Sequence, residues 1–291
     1  MKDLPRIHIV APAGKADKTQ TRKGIKLISG LGFTCLEGKS LYHKDGYFAG
    51  NDAERLFDFQ TAINDGAFAI WAARGGYGTT RIIDFLHWKK FIKNPSWIIG
   101  FSDITSIHIY LSNIGIPSIH GPMASQIADP SYKEEVSILK GIFENKYPEY
   151  QLPAYKENRI GKAKGLITGG NLTLIASTIG TPSEIITDNK ILFIEDVGES
   201  AYRIDRMLVQ LKRSGKLKNI KGLIVGHMTN ISEEKEFGRT VFDIISEHTS
   251  EYSFPVCYNF PAGHDKPNMP LILGQRCKLT VEKSMVYLSY L

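Results

Sequence analysis

Apolar residues fall into two alternating patterns along the first half of the chain. Short unbroken runs, Ile7 to Ala11, Ala67 to Ala72 and Trp97 to Phe101, read as strands buried on both faces. Phe33 to Leu36 reads as a further strand. Between the runs lie stretches with helical spacing. These are Thr19 to Leu31, closed by Gly32; a segment capped by Asn51 or Asp52 and running through Ile63; Thr79 to Trp88; and Ile104 to Asn113. This βαβα rhythm predicts a parallel sheet covered on both faces. The rhythm breaks between Asn145 and Asn158, where Pro148, Pro153 and the tyrosines Tyr147, Tyr150 and Tyr155 show no period, so the stretch reads as a linker. The pattern restarts at Gly165 to Asn171. A strand follows at Ile191 to Ile194, a helix from Tyr202 to Arg213 and a strand at Gly222 to Val225. A last helix covers Glu234 to Glu247, and β-rich sequence runs from Val256 to the end. The expected fold is α/β, with an N-terminal α/β domain over residues 1–146, a linker over 147–162 and a C-terminal domain over 163–291.

Composition narrows the function classes. Hydrophobic residues at 42% and charged residues at 23% are near globular averages, which excludes disordered and coiled-coil chains. The longest apolar run, Ala67 to Ala73, is far shorter than the roughly 18 residues of a spanning helix, so no membrane association is expected. Asp3 and Pro5 interrupt the N-terminus before any apolar stretch, which argues against a secretory signal. Cys35, Cys257 and Cys277 are odd in number and far apart, so neither a disulfide framework nor a metal site is expected. A cytoplasmic protein fits that usage. The net charge of +6 is mild for 291 residues. Basic clusters such as Lys212-Arg213 lack interleaved aromatics and read as solvated helix faces, not as a nucleic-acid surface.

Four segments carry candidate chemistry. Ser102 follows an apolar strand and opens a helix in Gly100-Phe-Ser-Asp-Ile104. That junction resembles a nucleophile elbow, although Ile104 stands where G-x-S-x-G has glycine. The same residues also read as a helix cap with a first-turn acid at Asp103. Arg74-Gly-Gly-Tyr-Gly78 lets backbone approach a ligand closely and offers N–H groups to an anion; it also reads as a tight strand-to-helix turn. It is neither a dinucleotide fingerprint nor a P-loop. Glu195 ends an apolar strand, where it reads as a site carboxylate or as an ion-pair partner of Arg203 or Arg206. His264 sits in a Gly/Pro loop and is free to titrate near neutral pH. His120 ends a strand and is a candidate to line the same cleft as Ser102, whereas His8 reads as a core histidine. The remaining histidines show no metal-ligand spacing. Ser137 to Lys140 matches S-x-x-K without its partner motifs.

Ser102, Glu195 and His264 occur in one of the orders that catalytic triads adopt. A serine hydroxyl needs a histidine to take its proton, and the histidine needs a carboxylate to orient it. Gly75 or Gly76, with the N–H of Asp103, would complete an oxyanion hole.

The ordered set of blocks resembles the LD-carboxypeptidase family of serine peptidases, which includes the microcin C immunity peptidases. The blocks are Ala11-Pro-Ala13, Ala73 to Gly78, Ile99 to Thr105 and Ile119-His-Gly-Pro122, then Gly169 to Thr173, Ile194 to Glu199 with Tyr202-Arg203 and Asp205-Arg206, and Pro261 to His264. The resemblance implies a Rossmann-like N-terminal domain, a smaller C-terminal α/β domain and an active site between them. It implies Ser102 as nucleophile, Glu195 as triad acid and His264 as general base, with oxyanion donors from the Arg74-Gly-Gly turn and Asp103. It further implies a cytoplasmic, cofactor-free, often homodimeric enzyme. Such an enzyme cleaves the L,D bond before the terminal D-Ala of murein tetrapeptides in cell-wall recycling. Arg74, Tyr77, His120 and Arg203 are the candidate substrate contacts. Two alternatives stand beside this reading: hydrolysis of a microcin-like peptidyl or aminoacyl nucleotide, and non-catalytic binding of a small acidic metabolite between two domains.

Overall fold

The computed structural model of the chain describes residues 4–233 and 237–291. Its first half alternates strand and helix: β1 (Arg6–Val10), α1 (Lys18–Gly30), β2 (Thr34–Glu37), α2 (Asp52–Asp65), β3 (Ala69–Ala72), α3 (Lys89–Lys93), β4 (Trp97–Gly100), α4 (Thr105–Asn113), β5 (Ser118–His120) and α5 (Lys133–Phe143). These strands pair in parallel in the order β5-β4-β3-β1-β2. The central strands need two apolar faces because a core lies on each side. Ile7, Ile9, Trp71 and Ile99 enter one core, while Val10, Ile70, Ala72 and Ile98 enter the other. Local caps set the helix starts. Asp17 accepts the N–H of Gln20 ahead of α1, and Asn51 with Glu54 forms a capping box ahead of α2.

The second half contributes β6 (Glu149–Pro153), β7 (Gly161–Asn171), α6 (Leu172–Thr178), β8 (Ile191–Val197), α7 (Ala201–Arg213), β9 (Gly222–Thr229), α8 (Val241–Thr249), β10 (Val256–Cys257), β11 (Leu271–Leu273), β12 (Arg276–Val281) and β13 (Met285–Tyr290). Its sheet runs β10-β9-β8-β7-β12-β13-β6, parallel from β10 to β7 and antiparallel beyond. Helix α7 places Ala201, Ile204, Leu208 and Leu211 on one face, and all four join the core shared with α8 and β8. Strand β11 leaves this half and pairs antiparallel with β5, with Leu271 opposite His120. The first sheet is thereby completed by a strand from the far end of the chain.

Three sequence expectations are corrected. Thr79 to Trp88 forms two short 3-10 turns, Thr79–Arg81 and Ile83–Phe85, instead of a helix. The β-branched residues Thr79, Thr80, Ile82 and Ile83 disfavour continuous helix, and the Thr79 N–H is taken by the carboxylate of Asp103 at 2.8 Å. The stretch read as a linker holds β6, which pairs with β13 at the outer edge of the second sheet, where a strand can tolerate Pro153. Helix α8 begins at Val241, after a capping box of Thr240 and Asp243, and ends at Thr249. The expected start of that helix falls on residues 234–236, which lie outside the described residues. Among the described residues, no helix is long and apolar enough to cross a membrane.

Candidate active site

Strand β4 ends at Gly100 and the chain turns sharply into a 3-10 turn, Ser102–Ile104, that leads into α4. Ser102 adopts φ of 58°. A non-glycine residue in this left-handed region costs about 1–2 kcal/mol, so the surroundings must impose it. They do so on both sides. The carbonyl of Gly100 accepts the Gly121 N–H at 3.1 Å and lies 2.8 Å from Nε2 of the buried His108. Asp103 is fully buried, and its Oδ2 accepts both the N–H (2.8 Å) and the hydroxyl (2.7 Å) of Thr79. Burial pushes the Asp103 carboxyl up to about 6, against the pull of those hydrogen bonds. Ile104 replaces the second glycine of the elbow pattern. It fits because Gly100 makes room: a Cβ on Gly100 would stand 2.9 Å from Cγ1 of Ile104.

Glu195 lies near the end of β8 and is wholly buried. His264 rides on the loop after β10. His264 Nδ1 lies 2.7 Å from Oε2 of Glu195, and Nε2 lies 3.1 Å from Oγ of Ser102. An ionised carboxylate can only accept, so Nδ1 carries the proton and Nε2 is left to accept from the serine hydroxyl. Burial alone would lower the pKa of His264. The hydrogen bond and charge of Glu195, with the charge of Asp196, outweigh it and raise the value above the ordinary 6.5. Asp196 points elsewhere, accepting from Asn171, Val197 and both donors of Thr173. Burial first, and then the Glu195 charge, raises its carboxyl to about 6.

The glycine turn after β3 completes the wall facing Ser102. Gly14 donates its N–H to the carbonyl of Gly75 at 3.0 Å, which ties the turn to the loop after β1. A Cβ on Gly75 would come within 3.0 Å of the Ser102 Cβ and 3.2 Å of its Oγ. The N–H groups of Gly75 and Gly76 donate to no acceptor among the described residues. A cleft of about 530 Å³ opens here, lined by Arg74, Gly75, Gly76, Ser102 and His264. Phe101, Met123 and Val197 form apolar wall, and Asp17, Gln20, Ser125 and Gln126 complete it.

Not every candidate reaches this cleft. His120 is fully buried between the rings of Phe101 and Phe193, at 5.7 and 4.9 Å, so its expected place on the cleft wall is corrected. Burial drives its pKa well below the usual histidine range, leaving a neutral ring. Tyr77 is exposed and packs on Phe48 instead of lining the cleft. Arg203 sits outside the lining on α7, with Nη1 3.5 Å from Glu199. Sequence reasoning missed Glu135 and Asn268. Asn268 Oδ1 accepts the N–H of Gly263 at 2.9 Å, and its own N–H donates to Glu135 Oε1 at 2.9 Å, so both hold the loop that carries His264. Glu135 had a signal: it shares the buried face of α5 with Leu139 and Ile142, where a carboxylate needs a partner. Asn268 had none. Among the described residues, no three His, Cys, Asp or Glu side chains are grouped to hold a metal ion.

Comparison with known proteins bears on this geometry. The family model described as LD-carboxypeptidase N-terminal domain matches residues 7–121, and that described as LD-carboxypeptidase C-terminal domain matches residues 164–279. The chain is 33% identical to the probable murein peptide carboxypeptidase of Bacillus subtilis, over 96% of this chain and 90% of that protein. It is 25% identical to the microcin C7 self-immunity protein MccF of Escherichia coli, over 95% of this chain and 90% of that one. The crystal structure of muramoyltetrapeptide carboxypeptidase from Oxalobacter formigenes is similar with a TM-score of 0.87 and 30% identity, covering 98% of each chain. A paired-domain match over most of the chain, with that level of identity, leads to one conclusion: this chain belongs to the LD-carboxypeptidase family of serine peptidases.

Proposed function

We propose that the chain hydrolyses the L,D-peptide bond before the terminal D-Ala of murein tetrapeptides, with Ser102, His264 and Glu195 as its catalytic triad. The observation that carries this reading is the unbroken hydrogen-bonded chain from Ser102 Oγ through His264 to the buried Glu195, opening onto the cleft. His264 Nε2 takes the hydroxyl proton as Oγ attacks the scissile carbonyl. The N–H groups of Gly75 or Gly76 and of Asp103 receive the developing oxyanion. The imidazolium then gives its proton to the departing D-Ala nitrogen, and an acyl-enzyme remains on Ser102. Water, deprotonated by His264, attacks that ester; the proton returns to Oγ and the shortened peptide leaves. Throughout, Glu195 fixes the Nδ1–H tautomer and offsets the imidazolium charge.

Peptidyl or aminoacyl nucleotides are the second substrate reading. It would need aromatic rings free to stack on a base. None of Tyr147, Tyr150 and Tyr155 lines the Ser102 cleft: Tyr147 is exposed beside Tyr290, the buried Tyr150 hydroxyl donates to the Pro270 carbonyl, and Tyr155 packs on Phe242. The murein reading belongs in a reducing cytoplasm, where Cys35, Cys257 and Cys277 would stay the free thiols they are here. Homodimerisation is part of the same proposal.

The test is incubation of the EDTA-treated protein with murein tetrapeptide, followed by mass spectrometry, beside Ser102→Ala. Loss of one alanine with the wild type and none with the variant is expected. Intact peptide with folded wild type, or equal cleavage by the variant, overturns the proposal.

A further inference from the structure

Beside the catalytic cleft lies a second concavity of about 520 Å³ that the mechanism does not use. Its charged lining is Lys15, Lys18, Lys44 and Arg74, with Asp17 as the acid among them. Asp17 and Arg74 also line the Ser102 cleft, so the two spaces share a wall. Two hydrogen bonds join them. Arg74 Nη1 donates to the Lys15 carbonyl at 3.1 Å, and Gly14 donates to the Gly75 carbonyl at 3.0 Å.

Four cations converge on this one hollow. Arg6, Lys216 and Lys266 pair with Asp65, Glu184 and Asp129 on other parts of the surface. Among the described residues, Lys15, Lys18, Lys44 and Arg74 form no ion pair. Asp17 offsets only one of the four charges, and its Oδ1 also caps α1 by accepting the Gln20 N–H at 2.8 Å. Four like charges around one hollow repel each other, and the hollow concentrates their field on whatever anion enters.

Resting on the peptidase reading above, we infer that this concavity is an anion subsite, taking a carboxylate or phosphate of the substrate remote from the scissile bond. The terminal carboxylate of the substrate is not that group. It lies three bonds from the reacting carbonyl, within about 4 Å, and therefore stays in the Ser102 cleft. The neighbouring hollow meets groups farther along the peptide, where the acyl side of a murein tetrapeptide bears further carboxylates or a carrier bears phosphate.

The test uses Lys15→Gln/Lys18→Gln/Lys44→Gln, three exposed positions, and leaves Arg74 in place because it also lines the cleft. Kinetics are measured on murein tetrapeptide and on the same peptide with its non-terminal carboxylates amidated. With the acidic peptide, KM of the variant rises about tenfold at unchanged kcat, and the gap narrows as salt screens the charges. With the amidated peptide, wild type and variant share one high KM. If amidation has no effect while inorganic pyrophosphate competes with substrate in wild type and not in the variant, the subsite takes phosphate. An equal KM change on both peptides, or no change on either with no pyrophosphate effect, overturns the subsite. Should wild type cleave neither peptide, the peptidase reading fails separately. The subsite is then decided by calorimetry with tetrapeptide and pyrophosphate. Binding lost in the variant upholds it, and binding equal in both proteins, or absent from wild type, ends it.

Discussion

His264 is the residue on which the proposed chemistry turns, because only its neutral form accepts the Ser102 proton. Its pKa is raised above the ordinary 6.5 by Glu195 and Asp196 in spite of burial. The sign follows directly: as pH falls through the raised value the base is protonated and lost. A pH profile of kcat/KM is therefore expected to fall on its acid side with a midpoint above 6.5. Glu195→Gln removes the charge that raises it and lets the wrong tautomer form. The rate should drop about 10³–10⁴-fold, and the acid limb should move to lower pH. An unmoved limb would show that Glu195 does not govern the imidazole. Ser102, Glu195 and His264 were all legible in sequence as polar residues at or just after predicted strand ends. Their convergence was expected only from chain order and the family resemblance, since a polar strand end gives one local signal whether it meets a cleft, a core or solvent. His120 illustrates the point: it too ends a strand, and the fold buries it between two rings.

Two turns, after β3 and after β4, face each other at the level of secondary structure. The turn after β4 holds Ser102 in a left-handed conformation, and the turn after β3 brings Gly75 against it. Gly75→Ala puts its methyl group 3.0 Å from the Ser102 Cβ and 3.1 Å from Cε of Met123. Relief must come from shifting the wall that offers its N–H groups to the oxyanion. The variant is expected to fold, with Tm lowered by less than about 5 °C, and to lose about 10²–10³-fold in kcat. Full activity in a folded Gly75→Ala protein would remove this turn from the oxyanion hole. The glycine cluster was readable as a close-approach loop, and the oxyanion-hole expectation already set it beside Ser102 and Asp103, but the contact of Gly75 with the Ser102 side chain was not readable. Nor was the 3-10 character of Thr79–Arg81, which depends on a carboxylate 24 residues away.

Across the whole molecule, the halves are stitched at the site by polar contacts that no single element contains. Asn171 donates its N–H to Thr105 Oγ1 at 3.0 Å, joining β7 to α4. Glu135 of α5 holds Asn268, which in turn holds Gly263, the neighbour of His264. Asn268→Ala leaves the Gly263 N–H without its acceptor, a loss of about 1–3 kcal/mol that falls on the position of the imidazole. The expected result is a kcat reduced about tenfold or more, with KM little changed. Glu135→Gln, which retains an acceptor oxygen for the Asn268 N–H, should keep most of the activity. Comparing the two by steady-state kinetics and urea unfolding separates loop positioning from global stability. Similar stability with unequal kcat supports positioning, and proportional losses in both argue for a purely structural contact.

What could be read along the chain was local by nature. Buried strands announced themselves as apolar runs, Asn51 announced a cap, and Gly100 to Ile104 announced a strand-to-helix junction, because each signal spans only a few bonds. Chemistry was legible to the same extent: side-chain type and place at a strand end marked Ser102, Glu195 and His264. Chain order and the resemblance named these three together, but no local pattern carries the contact itself, which the tertiary structure makes. Ser102 and His264 are 162 residues apart in the chain, and Glu195 and His264 are 69 apart. Pairing of β11 with β5, the edge position of β6 and the outward turn of Arg203 are likewise absent from any local pattern. The physical reason is shared. Periodicity and capping are short-range properties of backbone and side chain, whereas strand order, burial of a polar group and the partner it finds depend on how two distant surfaces fit together.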